Sequence, residues 1–199
     1  MTMWLITVKP SYDSGSRIVA GQVRPCYNSL EDRSPLQGNT VGSQPKTHLA
    51  YIAGFLDGDG SLMLQVKKRN DTKRGTRFMV TMCLYQDTRH EQPLYWIRDV
   101  FGIGYVSKRK DGISELRING YARVHALLVH LAPYIRFKVK QTEALLEACS
   151  ILRSGTIKTL SKRQIRRLID LLIVVQNENY VTKRKKQKDE LYELFGLTP

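Results

Sequence analysis

The sequence predicts an α+β fold in the order α-β-β-α-β-β-α, with further helices toward the C-terminal end. Three observations carry this prediction: a helical run that ends in paired carboxylates, two strand pairs with period-two alternation, and later stretches with helical spacing. Each element follows from local chemistry.

The first helix is Leu49-Ala50-Tyr51-Ile52-Ala53-Gly54-Phe55-Leu56, which runs into Asp57-Gly58-Asp59-Gly60. The carbonyl end of a helix is partially negative, so acids there are disfavoured by about a few tenths of a kcal/mol. Two of them make better sense with a cation among them. The plainer reading is a C-cap and turn, with Gly58 or Gly60 left-handed. A calcium loop is excluded, because the required glycine and glutamate positions fall on Leu62 and Lys68. Gly54 and Gly58 share one helical face, with Ala50 and Ala53 nearby, which lets another backbone approach closely. That neighbour is either this protein's own core or the same helix of a second copy. In the second case a two-fold axis brings both acid pairs together.

Beyond the acids, Leu62, Leu64 and Val66 alternate with Ser61, Met63, Gln65 and Lys67. A charged turn from Lys68 to Gly75 follows. Phe78, Val80, Met82 and Leu84 then alternate with Arg77, Met79, Thr81, Cys83 and Tyr85. This is an antiparallel pair with one apolar and one polar-to-basic face. A helix starting near Pro93 carries Trp96, Ile97, Val100 and Phe101. A second strand pair runs from Tyr105 to Lys108 and from Ile113 to Ile118, around Lys110-Asp111-Gly112. Helices are predicted over about 120–131 and 138–153, the latter capped near Gly155. Another starts at Ser161, which forms a capping box with Gln164, and buries Ile165, Leu168, Ile169, Leu172 and Ile173.

Lys and Arg number 32 against 18 Asp and Glu, for a net charge of +14, which points to a polyanionic partner. With 42% hydrophobic residues among 199, one sizeable core is expected. No apolar run is long enough to span a membrane. Cys26, Cys83 and Cys149 are scattered and odd in number, which suits a reducing interior and offers no zinc cluster. Residues 1–46, rich in Ser, Gly, Pro and Asn, are expected to form a partly irregular extension ahead of a domain over 47–199. A soluble intracellular protein is expected.

The polar sheet front supplies candidates for reading a DNA groove: Gln65, Lys67, Arg69, Arg77, Thr81, Tyr85, Ser107, Arg109 and Arg117. A solvated strand face is the ordinary alternative. The run Lys183-Arg184-Lys185-Lys186-Gln187-Lys188 reads as a solvated segment suited to phosphate contacts.

Ile52 to Gly60, IAGFLDGDG, resembles the signature of the LAGLIDADG homing endonucleases, with Tyr51 before it and Ser61 after. It occurs once, and single-copy members of that family are homodimers. Weaker similarity runs through Gly102-Ile103-Gly104-Tyr105-Val106 and Pro133-Tyr134-Ile135-Arg136-Phe137-Lys138, so the resemblance covers about residues 47 to 195. It implies an αββαββα core with a saddle-shaped antiparallel sheet. The implied activity is that of an intron-encoded endonuclease, cutting both strands of a long pseudo-palindromic DNA site. The metal ligands it implies are Asp59 and the Gly58 carbonyl, holding Mg²⁺, with Mn²⁺ able to substitute. Gln86 would position the attacking water, and Lys138 would be the basic group near the cleavage centre. Ala53, Gly54, Asp57 and Gly58 would lie at the dimer interface; Asp57, closer to the helix body than Asp59, is expected to cap or pair locally instead of holding the metal. Where relatives often have an arginine four positions after the glutamine, this chain has His90. The alternative function is an intron RNA-binding maturase without nuclease activity. Family habit places such a protein in a chloroplast or mitochondrion.

Overall fold

In the computed structural model the described residues are 44–69, 75–179 and 185–197. They belong to a unit that runs from Leu36 to Pro199. The expected extension lies outside them except for residues 44–46, as do Cys26, most of the charged turn from Lys68 to Gly75, and Lys183 and Arg184 of the basic run.

Helix α1 (Lys46–Asp59) passes directly into strand β1 (Gly60–Arg69), which is followed by β2 (Gly75–Asp87) and α2 (Gln92–Phe101). Strands β3 (Tyr105–Lys108) and β4 (Ile113–Asn119) come next. Helices α3 (Tyr121–Leu131), α4 (Val139–Arg153), α5 (Lys162–Glu178) and α6 (Lys188–Leu194) complete the order. The order α-β-β-α-β-β-α plus C-terminal helices is the one the sequence predicts.

The strands form one antiparallel sheet in the order β1-β2-β4-β3. Gly60 pairs with Leu84, Cys83 with Arg117, and Arg117 with Tyr105. Strand periodicity sends Leu62, Leu64, Phe78, Val80, Met82, Leu84, Leu116 and Ile118 to the back face, where all are buried. Ile52 and Leu56 of α1, Leu127 and Leu128 of α3, Leu145 of α4 and Leu168, Ile169 and Leu172 of α5 join them in one core. Each such side chain contributes about 1.5–3 kcal/mol by leaving water.

Local signals place the helix ends. Both halves of the Ser161–Gln164 capping box are made at the start of α5. At its far end the Asn179 side-chain amide donates to the Leu62 carbonyl at 2.9 Å, tying α5 to β1. Gly102 closes α2 in the left-handed conformation, φ 64°. Gly155 is different from the expected cap. Ser154 caps α4 in a right-handed conformation, and a Cβ at Gly155 would sit 2.5 Å from Thr159 Oγ1. Close approach, and not a left-handed turn, is the reason for glycine there. The short α6 opens with a second reciprocal box between Gln187 and Glu190.

Candidate functional site

The two acids at the end of α1 have separate fates. Asp57 is buried, and its carboxylate accepts three backbone N–H groups from the segment before α4. Oδ2 takes those of Arg136 at 2.6 Å and Phe137 at 3.2 Å, and Oδ1 takes that of Lys138 at 3.0 Å. Lys138 answers from the other side, its Nζ donating to the Asp57 carbonyl at 2.5 Å. Burial pushes the Lys138 ammonium below the usual lysine range, against the opposing pull of Asp57 and then Asp59. Asp59, by contrast, is exposed at the last position of the helix. Lys138 therefore stands within electrostatic reach of Asp59 and is held there by Asp57.

The carbonyls at this helix end differ in their partners. That of Leu56 accepts from the Gly60 N–H and that of Asp57 from Lys138, whereas that of Gly58 has no partner among the described residues. Among the described residues no group of three or more His, Cys, Asp or Glu converges on a metal position. One chain thus offers a carboxylate and a carbonyl, all oxygen. That donor set fits Mg²⁺, which keeps several waters and takes one or two carboxylates along with a phosphate; it does not fit a closed zinc cage.

Gln86 lies two residues past Leu84, the partner of Gly60, so it shares the sheet end with Asp59. Its Oε1 accepts from the Asp87 N–H at 2.8 Å, which leaves the amide N–H groups for an outside acceptor. His90 is exposed at the end of a short 3₁₀ turn, Thr88–His90. The neighbouring Arg89 does not stand in for a basic group there. It is folded back on Asp87 through Nε at 3.0 Å and Nη2 at 2.8 Å, and this contact holds the Asp87 carboxyl far below the usual range.

The face of α1 expected to meet a partner is corrected in two places. Ala53 is fully buried in this chain's own core. Asp57 points the same way and is consumed by the loop amides. Gly54 and Gly58 remain exposed, and a Cβ built at either meets nothing within 4 Å. Nothing in the described chain requires glycine at these two positions. Tyr51 beside them is 56% exposed, and Phe137, next to Lys138, is 84% exposed.

The sheet front also departs from simple alternation. Gln65, Lys67 and Arg77 are exposed as expected. The side chain of Arg69 lies outside the described residues. Thr81 is corrected: it is fully buried, and its hydroxyl donates to Asn119 Oδ1 at 2.8 Å. Tyr85 is half-buried, and desolvation pushes its phenol up to about 12. Arg109 pairs with Asp111 at 2.7 Å. Arg117 is gripped by the buried Glu115 through Nε to Oε1 at 3.0 Å and Nη2 to Oε2 at 3.1 Å, while Ser107 reaches Oε1 at 3.4 Å. Glu115 was absent from the sequence-derived set. Its i, i+2 relation to Arg117 on one strand face is the signal that finds it.

Known proteins resemble this chain in sequence and in fold. A family model described as LAGLIDADG endonuclease matches residues 52–146. DNA endonuclease I-CvuI of Chlorella vulgaris is 33% identical over 98 residues, covering 49% of this chain and 61% of that protein. DNA endonuclease I-CreI of Chlamydomonas reinhardtii is 32% identical over 110 residues, covering 55% of this chain and 67% of that protein. The chain thus spans about two thirds or less of these relatives' length. The crystal structure of I-CvuI with its target in the presence of calcium superposes with a TM-score of 0.64 at 24% identity, over 77% of this chain and 98% of that one. The archaeal intron-encoded homing endonuclease I-Vdi141I, complexed with DNA, superposes with a TM-score of 0.66 at 19% identity, over 77% and 97%. The fold they share with this chain is the homing endonuclease fold.

Proposed function

The chain belongs to the LAGLIDADG homing endonuclease family, and on that premise we propose that it is an intron-encoded, site-specific DNA endonuclease acting as a homodimer with Mg²⁺. The observation that carries this reading is the division of labour at the end of α1. Asp57 is spent on structure, Asp59 is exposed, and the glycines leading to them are open for a second backbone. An inactive relic of the fold has no need to hold a half-buried lysine beside an exposed aspartate.

In this reading two copies of α1 meet at Gly54 and Gly58, and each delivers its Asp59 toward the shared axis. Identical halves then favour a nearly palindromic target. Bound Mg²⁺ supplies an activated water and relief of charge at phosphorus. Asp59 and the Gly58 carbonyl would hold it. Lys138, desolvated and close, stabilises charge that develops on the phosphate oxygens. The amide of Gln86 orients a water or a phosphate oxygen. Lys67 and Arg77 on the open front attract the duplex, and Gln65, Tyr85, Ser107, Arg109 and Arg117 meet base edges. Residence in a chloroplast or mitochondrion is part of the same proposal. Among the described residues no helix is long and apolar enough to cross a membrane.

The test begins with a randomised duplex library, bound in Ca²⁺ and sequenced to find the preferred site. That site is then offered with Mg²⁺ to the wild type and to Asp59→Asn. Double-strand cleavage by the wild type, with binding but no cleavage by the variant, is the expected outcome. Binding to structured RNA without any cut of the selected DNA would favour a maturase instead.

A further inference from the structure

We propose that Glu115 is a positioning residue that presents Arg117 to a guanine in each half-site, making the pair the specificity determinant at that base position. The inference rests on the endonuclease reading and deepens it.

The strand register supplies the placement. Arg117 lies opposite Cys83 on β2 and Tyr105 on β3, so it emerges from the front face of β4 with Glu115 on the same side. The carboxylate is the inner member, with its side chain 10% exposed; the guanidinium is the outer one, at 28%. Glu115 takes one edge of the guanidinium, Nε and Nη2, through two parallel hydrogen bonds. Arg carries five N–H donors in a rigid fork, so this leaves both N–H groups of Nη1 and one of Nη2, the far edge of the fork, unclaimed by Glu115. A bidentate donor edge of that kind matches the O6 and N7 acceptors of guanine in the major groove.

Three further points separate this from an ordinary ion pair. First, the carboxylate neutralises the arginine, which makes the pair a poor phosphate contact. The exposed Lys67 and Arg77, with no ion-pair partner among the described residues, suit that role better. Second, Glu115 is buried, and its carboxylate keeps little capacity for a cytosine amine. Its Oε1 already takes Arg117 Nε and Ser107 Oγ, and its Oε2 takes Arg117 Nη2. Third, a partly buried ion pair contributes little stability relative to apolar side chains of the same volume. Clamping the side chain before DNA arrives, however, removes the entropy cost of ordering it there.

The test uses the full-length protein and a randomised duplex library bound in Ca²⁺, which the wild type, Glu115→Gln and Arg117→Lys each select in parallel. The wild type should enrich guanine at one symmetric pair of positions. Both variants should lower that enrichment by about tenfold or more, while changing the other positions much less. An unchanged Glu115→Gln profile would overturn the proposal. So would an even loss of selectivity at every position, the signature of a merely structural pair, or an affected position that is not guanine. If Glu115→Gln fails to fold by thermal melting, Arg117→Lys decides alone, and retention of the guanine preference refutes the idea. Failure of the wild type to select any sequence would sink the site-specific reading itself, a result distinct from all of these.

Discussion

Asp57 and Lys138 grip each other twice across 81 residues of sequence, carboxylate to backbone N–H at 3.0 Å and ammonium to backbone carbonyl at 2.5 Å. The aspartate thereby sets the position of the lysine that faces Asp59. Replacing Asp57 by Ala leaves three amide N–H groups without their charged acceptor, and the expected loss of stability is about 3 kcal/mol. Cleavage should fall further than stability explains, because a displacement of about 1 Å at Lys138 is worth about a hundredfold in rate. Urea unfolding together with single-turnover cleavage checks both. Lys138→Met is the control, expected to lose cleavage with a much smaller loss of stability. Equal stability losses in the two variants would count against the assignment.

Why the sequence placed Asp57 and Ala53 on the wrong face is a matter of helix geometry. Gly54 and Gly58 form one stripe; Ala53 and Asp57 form the next, rotated by about 100°. Small size alone cannot tell adjacent stripes apart, whereas the large apolar neighbours Ile52 and Leu56 mark the buried side. The strands were legible from period-two alternation, which put Leu62, Leu64, Phe78 and Val80 in the core. That same rule could not show that Thr81 and Glu115 are covered on the front, because cover there comes from neighbouring strands and depends on register. The final helix carries no clear start signal in the sequence, because its cap is Gln187, an uncommon residue at that position. Asp59 stands out in the sequence as an acid at a helix's carbonyl end, whereas Gln86 and Lys138 come only from the family resemblance. Spacing alone could not bring residue 138 to residue 59, since that contact is made by the fold.

The thiols report on the sheet front independently of DNA. Cys83 lies on that face yet is fully buried, and burial raises its pKa; burial also pushes the Cys149 thiol up to about 12. Alkylation requires an accessible thiolate. Iodoacetamide at pH 8 should therefore leave both residues unmodified in the native protein and label both in urea, as read by peptide mass spectrometry. Rapid native labelling of Cys83 would show that the front is open where the structure closes it.

Helices α4 and α5 are joined by Arg167 and Glu147, with Nε to Oε1 at 2.6 Å and Nη2 to Oε2 at 2.7 Å. The hydrogen bonds from Arg167 hold the Glu147 carboxyl below its usual range. A folded-state pKa below the unfolded one adds stability above the unfolded value, and this contribution is lost as pH falls through the folded value. Both side chains are substantially exposed, so the contribution is about 0.5 kcal/mol. Urea midpoints at pH 7 and pH 3.5 should drop less in Glu147→Gln than in the wild type. An identical drop would show that the pair carries no pH-linked stability.

The open stripe of α1 gives the sharpest test of symmetry. A Cβ at Gly54 meets nothing among the described residues, so Gly54→Ala should stabilise an isolated protomer by about 0.5–1 kcal/mol through helix propensity. A dimer whose helices touch at this position responds in the opposite sense, because the added methyl holds the two backbones apart. Gly54→Leu magnifies the effect by placing a larger side chain at the same exposed position. Sedimentation equilibrium should therefore show self-association weakened by about tenfold for Ala and more for Leu, while the dilute variants melt no lower than the wild type. The two signs together separate an interface from a packing defect, which would lower both association and melting temperature. Undiminished association of Gly54→Leu would remove Gly54 from the contact and, with it, the shared axis that brings one Asp59 to the other.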